Sequence, residues 1–261
     1  MEDKSVGQYR KVLHVRPIQD WLLRGHSMKL KKLFHFTLDD VPSYVHEIAI
    51  AERPNIPAPE KDYYTPGDIT GVNGKYYEDL GTFRNIEIKL ECSFISRDPN
   101  KWAEKWREVK NWILGEKHKV IRFSDDEGFY RKIAKISLSS SERKALRAGV
   151  FTITLEAEPF EYLNEGLTRI NHKYIKENQY YECCPTFILN STDMQTLTVN
   201  GREFKVDCKG KTIVDTELKI AYSDNSLVNT VGDFEDLWFE NGKCEVKSTC
   251  PCLVQPNWRC V

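Results

Sequence analysis

Apolar and polar residues alternate most cleanly over residues 85–95. Ile86, Ile88, Leu90, Cys92 and Phe94 fall on one face, and Glu87, Lys89 and Glu91 on the other. A period of two predicts a half-buried strand. The same period returns from Gly149 to Glu158, where Pro159 stops it. It also runs through KVIRFSD and FYRKIAKISLS, which flank a turn at Asp125-Asp126-Glu127-Gly128. One stretch changes period. Trp102, Trp106, Val109, Ile113 and Leu114 recur at helical spacing, with Asp98 or Asn100 as cap and Gly115 expected to end the helix in a left-handed conformation. Trp102, Trp106 and Trp112 lie close enough in sequence to suggest a base-stacking surface. A helix stripe packed on a sheet is the commoner arrangement and is the expectation here.

Turn formers punctuate the rest. Met28 opens a strand-like segment, MKLKKLFHFTLDDVPSYV, so residues 1–27 are expected to be an extension that the fold does not require. Pro54, Pro57, Pro59 and Pro66 forbid a long helix over residues 52–82, and Asn73-Gly74 predicts a hairpin turn. The segment EPFEYLNEG closes a first domain at residues 28–165, and the polar residues 166–182 read as a linker or edge strand. From 183 to 261 short strands follow one another: PTFILNS, LTVNGREFKV, TIVDTELKIAY, LWFENGKCEV and CLVQPNWR. Asn200-Gly201 and Asn241-Gly242 are expected hairpin turns, and Trp258 an expected core residue. This spacing predicts a β-sandwich. The fold class is mainly β with one prominent helix.

Composition narrows the function. The chain has 38 basic and 39 acidic residues among 261, a net charge of −1, which argues against nucleic-acid binding through bulk charge. No apolar run is long enough for a membrane span, and the first residues do not form a secretory signal, so synthesis in a cytoplasm is expected. Seven of the eight cysteines lie in the last third: Cys183, Cys184, Cys208, Cys244, Cys250, Cys252 and Cys260, with Cys92 apart. Their spacing is poor for zinc, so reduced, apolar thiols are the expectation; a disulfide or metal among Cys244, Cys250, Cys252 and Cys260 is the alternative.

No nucleophile elbow, phosphate-binding loop or zinc-protease motif occurs. The six histidines (His14, His26, His35, His46, His118 and His172) are scattered. Asp39-Asp40, Asp125-Asp126 and Asp233/Asp236 are carboxylate pairs that suit turns better than catalysis. No catalytic residue, cofactor or metal site is expected. Tyr222, Trp238 and Phe239 are the candidate contacts for a glycan or a partner, with Trp258 as a further aromatic there; burial in the core or an interface is the competing reading of all four.

In this order the features resemble a known family. Thr65-Pro66-Gly67-Asp68, Asn73-Gly74 and Tyr76-Tyr77-Glu78-Asp79, then NWILGEKHKVIRFSDDEGFYRKIAKI and Glu158-Pro159-Phe160-Glu161-Tyr162, are similar to the N-terminal domain of phage distal tail proteins. Leu197-Thr-Val-Asn-Gly-Arg, Ile213-Val-Asp-Thr-Glu-Leu, Gly232-Asp-Phe-Glu-Asp-Leu and Pro256-Asn-Trp-Arg259 are similar to the galectin-like domain of the long form. The first turn is spaced more widely than in the family, Glu240-Asn241-Gly242 replaces its usual Pro-Gly, and the cysteine cluster is atypical. The resemblance implies an N-terminal β-sandwich or split-barrel ring domain and a C-terminal galectin-like β-sandwich. It further implies a homohexameric ring at the virion tail tip, assembled in the host bacterium's cytoplasm. Its partners would be the tail tube protein, a tail-tip hub protein and a receptor-binding protein. Two other readings remain: a carbohydrate-binding module contacting host cell-wall glycans, and a wall hydrolase carrying a binding sandwich.

Overall fold

The computed structural model describes residues 33–65, 67, 73–175 and 177–261. The expected extension at 1–27, the strand start at Met28, and Pro66, Asp68 and Gly71 of the proline-rich segment lie outside the described residues. The fold is β-rich, as its alternating sequence predicts, with a single α-helix among the described residues. Two compact units divide the chain. The first comprises described residues 33–57 with Ile86–Asp125 and Ile133–Ala157; the second takes the described part of 58–85, Asp126–Lys132 and Glu158–Val261.

The first unit is built on the strand Ile86–Ile95. Its burial alternates as the sequence predicts, with Ile86, Ile88, Leu90, Cys92 and Phe94 buried and Glu87, Lys89 and Glu91 exposed. It pairs antiparallel along its whole length with Ala148–Ala157, Phe94 opposite Gly149 and Ile88 opposite Leu155. Ala148–Ala157 pairs in turn with 133–138, and Ile48–Ile50 adds to the other side of Ile86–Ile95. Phe36–Leu38 pairs with Val120–Phe123.

The helix Trp102–Gly115 packs its stripe on this sheet. Trp106 lies 5.2 Å from Phe151 and 5.8 Å from Phe94, centroid to centroid, and Trp102 lies 5.4 Å from Phe94. The tryptophans are therefore a packing stripe. Three details differ from the sequence reading. Asp98 caps the 3-10 turn Pro99–Lys101 by accepting from the Asn100 N–H, and the helix itself begins at Trp102 without a side-chain cap. Trp112 is buried and Leu114 exposed, because 100° per residue carries position 114 off the face that 109, 112 and 113 share. Gly115 takes no left-handed φ; Glu116 leaves the helix extended at φ −102°, ψ 151°.

The second unit is a sandwich. One sheet runs Ile170–Asn171, Cys252–Gln255, Thr186–Ser191, Gly210–Asp215, Ile220–Ser223 and Ser226–Leu227. The other runs Thr230–Val231, Arg202–Asp207, Met194–Val199 and Val246–Ser248. Phe187, Leu189, Val214 and Val254 of the first face Leu197, Val199, Phe204 and Val206 of the second in one buried core. Asn200-Gly201 forms the expected turn, with φ of 50° and 88° closing Val199 on Arg202.

Residues 166–182, expected to be a linker or edge strand, supply the edge strand Ile170–Asn171 of the first sheet; Glu177–Asn178 pairs elsewhere, and His172, Ile175 and Asn178 are buried. Asn178 is polar yet buried because its side chain donates to the carbonyls of Tyr181 and Phe239, at 3.0 and 2.9 Å. Asn241-Gly242 does not close a hairpin, since Gly242–Lys243 pairs with the distant Glu177–Asn178. Lys61–Tyr64 pairs with Glu78–Phe83, and Val72, which would flank the expected Asn73-Gly74 turn, lies outside the described residues. Trp258 lies at the margin of the core, half-buried against Phe239 at 5.7 Å.

Candidate functional site

The three aromatic candidates occupy different environments. Asp233 opens a short 3-10 turn, Phe234–Leu237, by accepting from the Glu235 N–H at 3.2 Å, and the chain then runs extended. Extended backbone sends alternate side chains to opposite sides. Leu237 and Phe239 therefore point into the core, and Phe239 is 0% exposed against Phe187. Trp238 turns the other way. It is half-buried, donates from Nε1 to the Thr216 carbonyl at 3.3 Å, and carries the Lys219 ammonium 5.7 Å from its ring. Tyr222 is half-buried on Ile220–Ser223, between Ile213 and Leu227.

A second set of aromatics lies on the hairpin of Lys61–Tyr64 and Glu78–Phe83, also in the second unit. Tyr63, Tyr64, Tyr76, Tyr77 and Leu80 are 47–58% exposed, and Tyr63 meets Tyr77 edge-on at 6.1 Å. At the hairpin's base Phe83 packs on Phe160 and Tyr181, at 5.8 and 5.9 Å. Sequence reasoning missed this surface. Its signal is the doubled tyrosine on each side of a proline- and glycine-rich stretch, without the alternation that marks a buried face.

A polar cluster surrounds the buried Tyr162. Tyr162, 1% exposed, donates to Glu158 at 2.6 Å, and Lys132 bonds Glu217 at 2.6 Å while lying 4.3 Å over the Tyr162 ring. Burial, with Glu217 and Glu158 beside it, pushes the Tyr162 hydroxyl far above an ordinary tyrosine, so it stays protonated as a donor. Arg131 pairs with Glu161. Arg259 stacks 4.0 Å from the Phe160 ring and donates to the Glu182 carbonyl at 2.5 Å. These contacts flank the strand Glu161–Leu163, which pairs with Arg259–Cys260 and with the start of Phe129–Leu138; Arg131 Nη1 stays buried without a hydrogen-bond partner.

The carboxylate pairs are engaged in local structure. Asp39, at φ 50°, accepts from the N–H groups of Lys119 and Val120 at 3.0 and 3.1 Å and meets His118 Nδ1 at 3.1 Å. Partial burial works to raise its pKa, but the three partners together outweigh that and hold it below an ordinary aspartate. Asp125 pairs with Arg53 at 2.8 Å. His172 meets the Cys252 carbonyl at 3.1 Å. Cys92, Cys183, Cys184, Cys208, Cys244 and Cys252 are buried. Burial raises all six thiols, Cys184 to about 11 and Cys252 to about 12, as it does for structural cysteines. No group of three or more His, Cys, Asp or Glu arranged to hold a metal occurs among the described residues.

No protein-family model matches the sequence, and no curated protein does. Solved structures share the fold. The crystal structure of the Dit protein of SPP1, described as a paradigm of the hub adsorption apparatus in phages infecting Gram-positive bacteria, superposes with a TM-score of 0.52 at 14% identity. That match covers 85% of this chain and 97% of the other. A chain of the phage P2 baseplate, in its activated conformation with calcium, covers the same shares at 11% identity and a TM-score of 0.46, too loose a likeness to build on.

Proposed function

We propose that this chain is a structural component of a phage or prophage tail tip: a distal tail protein of the long form, with a galectin-like second sandwich. In this reading six copies close a ring that joins the tail tube protein to a tail-tip hub protein and a receptor-binding protein. The chain is made in the cytoplasm of the host bacterium and ends at the tip of the virion tail.

The observation that carries the reading is the extent of the fold likeness. It spans 97% of the SPP1 protein and 85% of this chain, where a shared sandwich alone would match only part. Fold by itself does not fix function. Two further features support the proposal. The exposed tyrosines of the 61–83 hairpin suit a protein interface, where tyrosine is enriched. The carboxylates considered for catalysis are tied into turns and ion pairs, which favours a structural role over an enzymatic one.

Immunogold labelling of tails from the phage or prophage that encodes the chain tests the assignment. Label confined to the distal end of the tail is expected. Label along the tube or on the capsid, or its absence from intact tails, contradicts it.

A further inference from the structure

Glu182 is half-buried, yet its carboxylate has no hydrogen-bond or ion-pair partner among the described residues. The other half-buried glutamates described each have one. Glu47 pairs with Arg97 and Lys105, Glu158 accepts from Tyr162, and Glu161 pairs with Arg131. A carboxylate drawn part-way out of water without a partner is unfavourable, and a cation that reaches it restores the lost interaction. Arg259 is close but does not supply that cation. Its Nε donates to the Glu182 main-chain carbonyl at 2.5 Å, and its guanidinium lies 4.0 Å from the Phe160 ring.

Glu182 lines an open cavity of about 640 Å³ in the second unit, together with Tyr180, Tyr181, Glu240 and Asn241. The walls are fixed before any ligand arrives, which reduces the ordering cost of binding. Cys183 and Phe239 exchange backbone bonds at 3.1 and 3.0 Å, and the Asn241 amide donates to the Tyr180 carbonyl at 2.9 Å. The rings are held too. Tyr180 donates to Glu165 at 3.2 Å, and Tyr181 stacks on Phe160 at 5.6 Å while staying 37% exposed. No lysine or arginine lines the cavity among the described residues, so its charge is acidic. Arg202 bonds Glu240 at 3.2 Å and offsets that carboxylate, which leaves Glu182 as the uncompensated one. An aromatic face beside a carboxylate suits a guanidinium better than an ammonium. The planar group stacks on the ring while its N–H fork bonds both carboxylate oxygens.

We propose that this cavity receives an arginine side chain of a partner protein, with the guanidinium on Tyr181 and its N–H groups on the Glu182 carboxylate. The site is separate from Tyr222 and Trp238, and the proposal stands independently of any role in a tail.

Saturation-transfer NMR and calorimetry on the full chain test it. The probe is N-acetyl-arginine methylamide, capped at both ends as a residue within a chain is. Its neutral isostere N-acetyl-citrulline methylamide and the free polyamine spermidine are run beside it. The arginine derivative should bind at millimolar concentration, and the citrulline derivative roughly tenfold more weakly, the scale of one charge-assisted hydrogen bond. Glu182→Gln should weaken the arginine derivative by a similar factor. The Glu182 side chain holds no wall bond, so this variant should fold. Glu104→Gln, which removes an exposed carboxylate from the helix of the first unit, should leave binding unchanged and so separates the cavity from bulk charge. The proposal is overturned if the arginine derivative does not bind, if citrulline binds equally well, if binding survives Glu182→Gln, or if spermidine binds more tightly than the arginine derivative.

Discussion

Gly149 stands directly opposite Phe94, and the phenyl ring lies across the space a side chain would take. A Cβ at 149 would sit 2.4 Å from Phe94 Cε1, 2.5 Å from Cζ and 3.0 Å from Ser141 Oγ. Carbon atoms rest near 3.5–4.0 Å, so Gly149→Ala requires the ring to move by about 1 Å. Phe94 is 0% exposed, with Trp102 at 5.4 Å, Trp106 at 5.8 Å and Phe151 at 6.1 Å. Overpacking of this kind costs about 1–3 kcal/mol. The lower chain entropy of unfolded alanine offsets about 0.4–1 kcal/mol of that. A net loss of about 1–2 kcal/mol is expected. Urea unfolding followed by tryptophan fluorescence reads it well, because three of the chain's six tryptophans lie on the helix that covers Phe94. Phe94→Leu removes the ring edge, so in that background Gly149→Ala should lose most of its penalty, a coupling of about 1 kcal/mol. Equal midpoints for parent and Gly149→Ala, or strict additivity in the double variant, would refute the close-approach argument.

Asp39→Ala should destabilise the first unit by roughly 1–3 kcal/mol at pH 7, since it leaves the Lys119 and Val120 N–H groups without their acceptor. Asp39 has a folded pKa below its unfolded one, so its contribution is complete above the ordinary aspartate value and fades as pH falls through the folded pKa. Parent and variant should therefore converge in acid urea melts, and a gap that persists at pH 2 counts against the carboxylate's role. Thiol titration at pH 8 should find Cys250 and Cys260 reacting first in the native protein, and all eight cysteines after denaturation. Fast native reaction of Cys183 or Cys252, or fewer than eight thiols in denaturant, contradicts the burial argument.

The legible parts of this fold are those where one local rule decides. Ile86–Ile95 has one face buried, so its period of two appears directly in the sequence. The helix shows its stripe, and Asn200-Gly201 supplies both positive φ angles that a two-residue hairpin needs. Non-local pairing defeats the same reasoning. Asn241-Gly242 has identical turn chemistry, yet Gly242 pairs with Asn178 more than sixty positions away. Polarity left 166–182 open between linker and edge strand, because a buried asparagine bonded to carbonyls reads like a loop residue. Trp238 and Phe239 are indistinguishable as types, and only the extended backbone after Leu237 sends one outward and one into the core.

Native mass spectrometry of the full chain at micromolar concentration tests the ring most directly. The account predicts a dominant species of six times the 30.4 kDa chain, with end-on negative-stain images showing sixfold symmetry. A species that stays monomeric across the concentration range contradicts it.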